Sequence, residues 1–264
     1  MATACPTGFS VDQLRAQIRE TYERLARAPH DGFHFHRGVL YAAQRLGYDL
    51  GELEALPTTC TERFAGIGNP LRIGPILQGE TVVDHACGAG TDLLLAARRV
   101  GQRGHAIGVD MTPGIRAQAA AGAAAAGLGS VVDIRAGLME DLPVADASVD
   151  VVISNGVVNL SPDKPRVFRE ISRVLRPGGR LYLSDVVVAR ELTLEVREDP
   201  DLWAACIGGA LREDELPELA AASGLEPLGI TDRFDSFGGT SAGAKLSADL
   251  RAHGVNFLAR KRAS

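Results

Sequence analysis

Short apolar runs alternating with helical stretches from Thr81 onward predict an α/β fold, with a mainly parallel sheet flanked by crossover helices. Two further features support this. A glycine-rich turn, Gly88 to Gly90, follows the first apolar run and precedes a helix. Residues 1–75 carry helical periodicity and no strand-like alternation, so they are expected to form a helical cap on a second unit spanning residues 76–264.

The cap opens with Ser10 and Gln13 at capping-box spacing. Val11, Leu14, Ile18, Tyr22 and Leu25 then recur at helical intervals until Pro29. A His- and Phe-rich turn leads to a second helical stretch, Gly38 to Leu46, and an acidic segment runs on to Leu56. In the second unit strands are expected at 81–84, 105–110, 131–136, 149–155 and 179–185, with helices near 92–100, 115–126 and 164–174. The Ala-rich run 117–126 reads as an ordinary crossover helix, because Ala is the best helix former. Arg176-Pro177-Gly178-Gly179 reads as a helix stop and turn. A helix near 212–223 and strands at 228–234 and 255–260 complete the chain.

Composition narrows the function. The 264 residues are 45% hydrophobic and 23% charged with a net charge of −5, which suits a globular protein and excludes fibrous and disordered classes. Only three of the 28 basic residues are Lys and no basic stripe occurs, which argues against nucleic acid as a partner. Every apolar run is interrupted well before the roughly 20 residues a membrane span needs. The first ten residues lack the pattern of a secretory signal, so a cytoplasmic location is expected. A small-molecule substrate is the expected partner, and a homodimer is left open. Cys5, Cys60, Cys87 and Cys206 form no CxxC pair and suggest neither a zinc site nor a disulfide framework.

The chemistry centres on Val82-Val83-Asp84-His85-Ala86-Cys87-Gly88-Ala89-Gly90. Glycine after a strand lets backbone approach a cofactor, since no Cβ intervenes. A dinucleotide fingerprint would continue G-x-G-x-x-G/A, but Leu93 stands at the third position. No G-K-[ST] follows either, which excludes a P-loop here. Asp110 ends the second strand 22 residues after Gly88, where a carboxylate can accept both ribose hydroxyls of a nucleoside. Met111 beside it could pack on adenine.

This turn resembles motif I of class I S-adenosylmethionine (SAM)-dependent methyltransferases. The resemblance extends through Gly137-Leu138-Met139-Glu140-Asp141-Leu142-Pro143, Asp150-Val151-Val152-Ile153-Ser154-Asn155 and Val174-Leu175-Arg176-Pro177-Gly178-Gly179-Arg180-Leu181, in the family's order. It implies a Rossmann-like, mostly parallel sheet with an antiparallel C-terminal strand, and SAM as cofactor. The implied cofactor residues are Asp84, Ala86, Gly88, Gly90, Asp110, Met111, Leu138, Met139 and Asn155. Ala86 stands where the family has Gly, and Leu138 where related enzymes carry an acid. A SAM- or SAH-binding scaffold without catalysis is therefore a competing class.

Within the family the chain is similar to the arsenite methyltransferases, through Ile107-Gly108-Val109-Asp110-Met111-Thr112, Val152 to Lys164, and Leu202-Trp203-Ala204-Ala205-Cys206-Ile207-Gly208-Gly209-Ala210-Leu211. That group's chemistry implies cysteine thiolates that replace the hydroxyls of As(OH)₃. Here Ile67 and Gly156 occupy two of the cysteine positions and only Cys206 matches. One soft ligand does not hold arsenic in a trigonal arrangement, whereas an aliphatic side chain and a vacancy suit an organic acceptor. An organic acceptor is thus expected, with methylation of a metalloid through Cys206 and an external thiol as the alternative. Ile67, Gly156, Cys206 and Trp203 are the candidate substrate residues, Trp203 being either core or pocket wall.

An acceptor that loses a proton needs a base. His30, His34 and His36 cluster in the cap, and in an extended segment His34 and His36 share a face. They fit a base, a substrate clamp, a metal pair or a plain loop, although no third metal ligand is evident. His34, His36 and Asn155 are the catalytic candidates, and His85 is a second candidate base.

Overall fold

The computed structural model describes residues 10–33, 35–199, 202–203, 206–240 and 250–263. Helix α1 (Val11–Arg27) starts at the expected capping box, in which the Ser10 hydroxyl accepts from Gln13 N and the Gln13 side chain accepts from Ser10 N. Helices α2 (Gly38–Leu46), α3 (Leu50–Glu54) and α4 (Thr58–Thr61) follow, so the acidic segment is itself helical. Asp49 caps α3 by accepting from Glu52 N.

The sheet is built from β1 (Thr81–His85), β2 (His105–Asp110), β3 (Val132–Ala136), β4 (Val149–Asn155), β5 (Leu175–Val188), β6 (Leu211–Arg212), β7 (Leu225–Phe234) and β8 (His253–Lys261). Its order is β3-β2-β1-β4-β5-β8-β7, with β6 alongside β5. β8 runs antiparallel to both neighbours and the other pairings are parallel, the mostly parallel sheet the sequence predicts. Helices α5 (Thr91–Val100), α6 (Pro113–Ala125), α7 (Lys164–Val174) and α9 (Glu215–Ala222) flank it, and a one-turn α8 (Leu194–Arg197) follows β5. Strand order reverses between β1 and β4, and the crevice beyond their C-terminal ends is where open α/β sheets bind ligands.

The structure amends two local expectations. Arg176 to Gly179 are not a helix stop and turn ahead of the strand but a bulge within β5: pairing jumps from Val149–Leu175 to Val151–Arg180, with Gly178 at φ +78°. Arg212 belongs to β6 rather than to a helix, which begins only at Glu215, because Leu211 and Arg212 pair with Val187 and Val188.

Apolar side chains cover both faces. On one, Tyr41, Leu46, Tyr48, Leu53 and Phe64 pack with α5 residues and with Val82, Val151 and Ile153, so the N-terminal helices share a core with the sheet. On the other, Val83, Val152, Leu181 and Phe257 meet α7 and α9. A third cluster lies beyond the strand ends and joins Leu14 and Ile18 of α1 to Ile67, Trp203, Cys206 and Phe237. The Glu23 carboxylate fixes α1 by accepting from Gly114 N at the start of α6.

Candidate active site

β1 delivers Asp84 and then turns sharply, with Ala86 at φ 64°, Gly88 at φ +54° and Gly90 at φ +92°. Positive φ at Ala86 is uncommon for a residue with a side chain, a local cost at the place where the family carries Gly. A Cβ on Gly88 would meet nothing within 4 Å, so the backbone there faces open space. Gly90 caps α5 and packs on Ala119. Asp110 closes the turn from β2: its Oδ2 accepts from Gly88 N at 3.1 Å and its Oδ1 from Thr112 N at 2.8 Å. The two residues assigned from spacing are thus in direct contact.

Asp84, Asp92 and Asp110 form a buried acidic group around this turn. Burial pushes Asp84 well above the usual carboxylate range, and the charges of Asp92 and Asp110 push it further. Asp110 is raised by burial against the opposing effect of its two backbone donors. Burial raises Asp92 to about 6, although Tyr48 Oη and Asn155 Nδ2 donate to its carboxylate at 2.6 and 2.9 Å. A cation bound beside this group relieves the penalty on all three carboxylates.

Asp92 carries a pH prediction. Its folded value of about 6 lies above the ordinary 3.8, so the folded state holds a proton that the unfolded state releases. Stability from this group is therefore full below about pH 4 and declines as pH rises to about 6. Asp92→Asn keeps a neutral side chain throughout. In thermal denaturation across this range, wild-type Tm is expected to fall relative to the variant, and parallel curves would contradict the assignment.

Three cavities open along the crevice. The first, of about 630 Å³, is lined by Ala86, Gly88, Asp110, Met111, Leu138, Met139 and, from α1, Arg15, Ile18 and Tyr22. The second, of about 530 Å³, is lined by Asp84, Ala86, Gly88, Thr91, Asp92, Asn155 and Tyr22. The third, of about 310 Å³, is lined by Phe35, His36, Tyr41, Ile67, Cys206, Ser236, Phe237 and again Tyr22. The first has the acid, methionine and glycine lining of an adenosine site. The second has the buried acids that suit a cationic amino acid. The third is mainly apolar and lies beyond them.

The candidate residues distribute unevenly. Asp84, Ala86, Gly88, Asp110, Met111, Leu138, Met139 and Asn155 all line the first two cavities. The Asn155 amide is occupied by the protein, since its Oδ1 accepts from Ile67 N and Gly68 N while Nδ2 donates to Asp92 and Tyr48. It staples β4 to the segment before the sheet. Ile67, Gly156 and Cys206 come together: the Cys206 thiol donates to Gly156 O at 3.7 Å, and a Cβ on Gly156 would lie 2.7 Å from Ile67 Cγ1. Burial pushes the Cys206 thiol up to about 12, with Asp185 adding to the shift, so it is protonated at neutral pH. Trp203 lines none of these cavities. It is fully buried, its indole N–H donates to Arg197 O, and Lys164 Nζ lies 4.7 Å from its ring centre.

His36 lines the third cavity, stacks on Tyr41 and donates from Nε2 to Gly238 O at 2.8 Å. His34 lies outside the described residues. His85 is fully buried with neither ring nitrogen hydrogen-bonded, and burial lowers its pKa to about 4. It lines none of the three cavities, so it is a neutral interior residue removed from them. Among the lining residues that the sequence did not single out are Tyr22, which carries only a helix-core signal, and Asp92, which reads as an ordinary acid in the first turn of a helix.

The model of a family described as a methyltransferase domain matches residues 76–224. An arsenite methyltransferase from Halobacterium salinarum is 43% identical over 238 residues, covering 85% of this chain and 60% of its own. Nocamycin O-methyltransferase from Saccharothrix syringae is 36% identical over 156 residues, covering 57% of this chain and 54% of its own. The crystal structure of an arsenic(III) S-adenosylmethionine methyltransferase from Chlamydomonas reinhardtii aligns with a TM-score of 0.66 at 34% identity, covering 80% of this chain and 72% of that one. The chain belongs to the SAM-dependent methyltransferases, whose methyl donor is S-adenosylmethionine. Two of these three relatives are named for methylating arsenic and one for methylating an oxygen of nocamycin. The chain spans about half to three-fifths of the length of these curated relatives. Among the described residues no helix is long and apolar enough to cross a membrane, and no group of three His, Cys, Asp or Glu side chains is placed to hold a metal ion.

Proposed function

We propose that this protein transfers the methyl group of SAM to a small organic acceptor held in the cavity between His36, Ile67 and Cys206. Asp110 and Met111 would hold the adenosine, and Asp84 and Asp92 the cationic amino acid. When bound, SAM supplies an electrophilic methyl carbon for in-line displacement. The chain's part is to align the acceptor with that carbon and exclude water. Residues 1–75 serve as the cap, with α1 covering the cofactor cavities and the segment after it walling the acceptor.

The observation that carries the organic reading is the Ile67–Gly156 contact. Ile67 occupies the space where a side chain at 156 would project, which leaves Cys206 as the single thiol lining this cavity among the described residues, and a protonated one. A lone thiol is a poor arsenic site. His36 suits an acceptor carrying an O–H or N–H. Its Nε2 faces a carbonyl, which only accepts, so Nε2 is the donor there and Nδ1 is the nitrogen left to act as a base toward the acceptor.

The second reading, methylation of trivalent arsenic with Cys206 and an external thiol, is favoured by the arsenic-methylating relatives. One assay separates the two. Purified protein and SAM are incubated either with arsenite and glutathione or with a panel of phenols, carboxylic acids and amines, and SAH is measured. SAH formation with panel members and none with arsenite is expected. Sustained formation of methylarsenicals would overturn the organic reading.

A further inference from the structure

We infer that Tyr22 of α1 is the residue that recognises the transferable methyl group, contacting the charged sulfonium at the junction of the three cavities. This rests on the proposed cofactor site. The sulfonium is the atom that joins the nucleoside to the amino acid chain, and its methyl must face the acceptor. It therefore belongs where the adenosine, amino acid and acceptor cavities meet.

The linings locate that point. Ala86, Gly88 and Val157 are shared by the first two cavities, and Ala65 and Gly66 by the second and third. Among the described residues Tyr22 alone lines all three. Its ring is braced by Phe35, with centroids 6.5 Å apart and planes 14° from parallel. Its phenol has no hydrogen-bonding partner among the described residues. The electrostatic neighbours of that phenol are Cys206 from the acceptor side, Asp110 from the nucleoside side and Asp185. The side chain thus stands between donor and acceptor with its polar atom uncommitted.

The chemistry of the ligand then sets the role. Methyl hydrogens on a sulfonium are polarised and make C–H···O contacts to an oxygen lone pair, and an aromatic ring attracts the adjacent positive charge. SAH lacks both the methyl and the charge, so Tyr22 is expected to favour SAM over SAH. The phenol is neutral here, because burial raises its pKa well above the ordinary value. The preference therefore comes from the oxygen dipole and the ring rather than from a phenolate.

Titration calorimetry with SAM and with SAH tests this without any acceptor. In Tyr22→Phe the affinity for SAM is expected to fall about three- to tenfold while that for SAH stays within twofold of wild type. In Tyr22→Leu the affinity for SAM should fall further. Circular dichroism and Tm establish that both variants fold, and a Tyr22→Phe protein whose Tm matches wild type keeps the test valid if the Leu variant does not fold. An unchanged ratio of SAM to SAH affinity in Tyr22→Phe would overturn the inference. If the wild-type protein bound neither ligand, the cofactor assignment itself would fail, which is a different result.

Discussion

Asp110→Asn is expected to weaken SAM binding by roughly 5- to 150-fold while leaving the protein folded. The Asp110 carboxylate is an acceptor on both sides, taking Gly88 N–H and Thr112 N–H. An Asn amide must turn its NH₂ toward one of these donors and leaves a buried N–H unpaired, at a cost of about 1–3 kcal/mol. It also loses an acceptor for the ribose hydroxyls. The unpaired N–H is a cost to the fold, which is expected to survive it because β2 is held between β1 and β3 by parallel pairings on both sides; the loss in SAM affinity comes from the missing ribose acceptor. Calorimetric titration of SAM reads the loss, and an affinity within twofold of wild type would show that the ribose lies elsewhere.

The second large effect concerns the acceptor. Gly156→Cys alone is expected to destabilise the protein, since its Cβ would lie 2.7 Å from Ile67 Cγ1 and its backbone sits at φ +72°. Ile67→Cys removes one γ branch and the δ methyl, making room. The Ile67→Cys/Gly156→Cys protein would then present three thiols, counting Cys206, within one small region. Three soft ligands suit trivalent arsenic where one does not. We expect arsenite-dependent SAH formation to rise at least tenfold in the double variant over a wild type that is nearly inactive. A wild type already active with arsenite, or a folded double variant with no gain, would show that these positions do not set the acceptor.

The cofactor end of the site is legible in the sequence because it is local. Asp84, the glycine turn and Asp110 lie on consecutive strand ends, and a fixed spacing of 22 residues brings Gly88 against Asp110. The acceptor end is assembled from distant segments: His36 meets Gly238 across 202 residues, and Ser236 bonds Ile67 O across 169. No local pattern encodes such contacts. Resemblance alone marked Ile67, Gly156 and Cys206, and the structure adds that they touch. Tyr22 was hidden for a different reason: a helix presents one apolar stripe, and position 22 falls on it whether the stripe meets core or cavity. In β5, the Pro-Gly-Gly signal read as a stop, but pairing with β4 and β8 outweighs a local turn and absorbs it as a bulge.

The most direct measurement is a crystal structure of the protein grown with SAH. The ligand is expected to lie across the first two cavities, with its ribose hydroxyls on Asp110, its amino acid end beside Asp84 and Asp92, and its sulfur next to Tyr22 where the third cavity opens. SAH bound away from this crevice, or with its sulfur turned from the cavity between His36, Ile67 and Cys206, would contradict both the cofactor assignment and the path proposed for the methyl group.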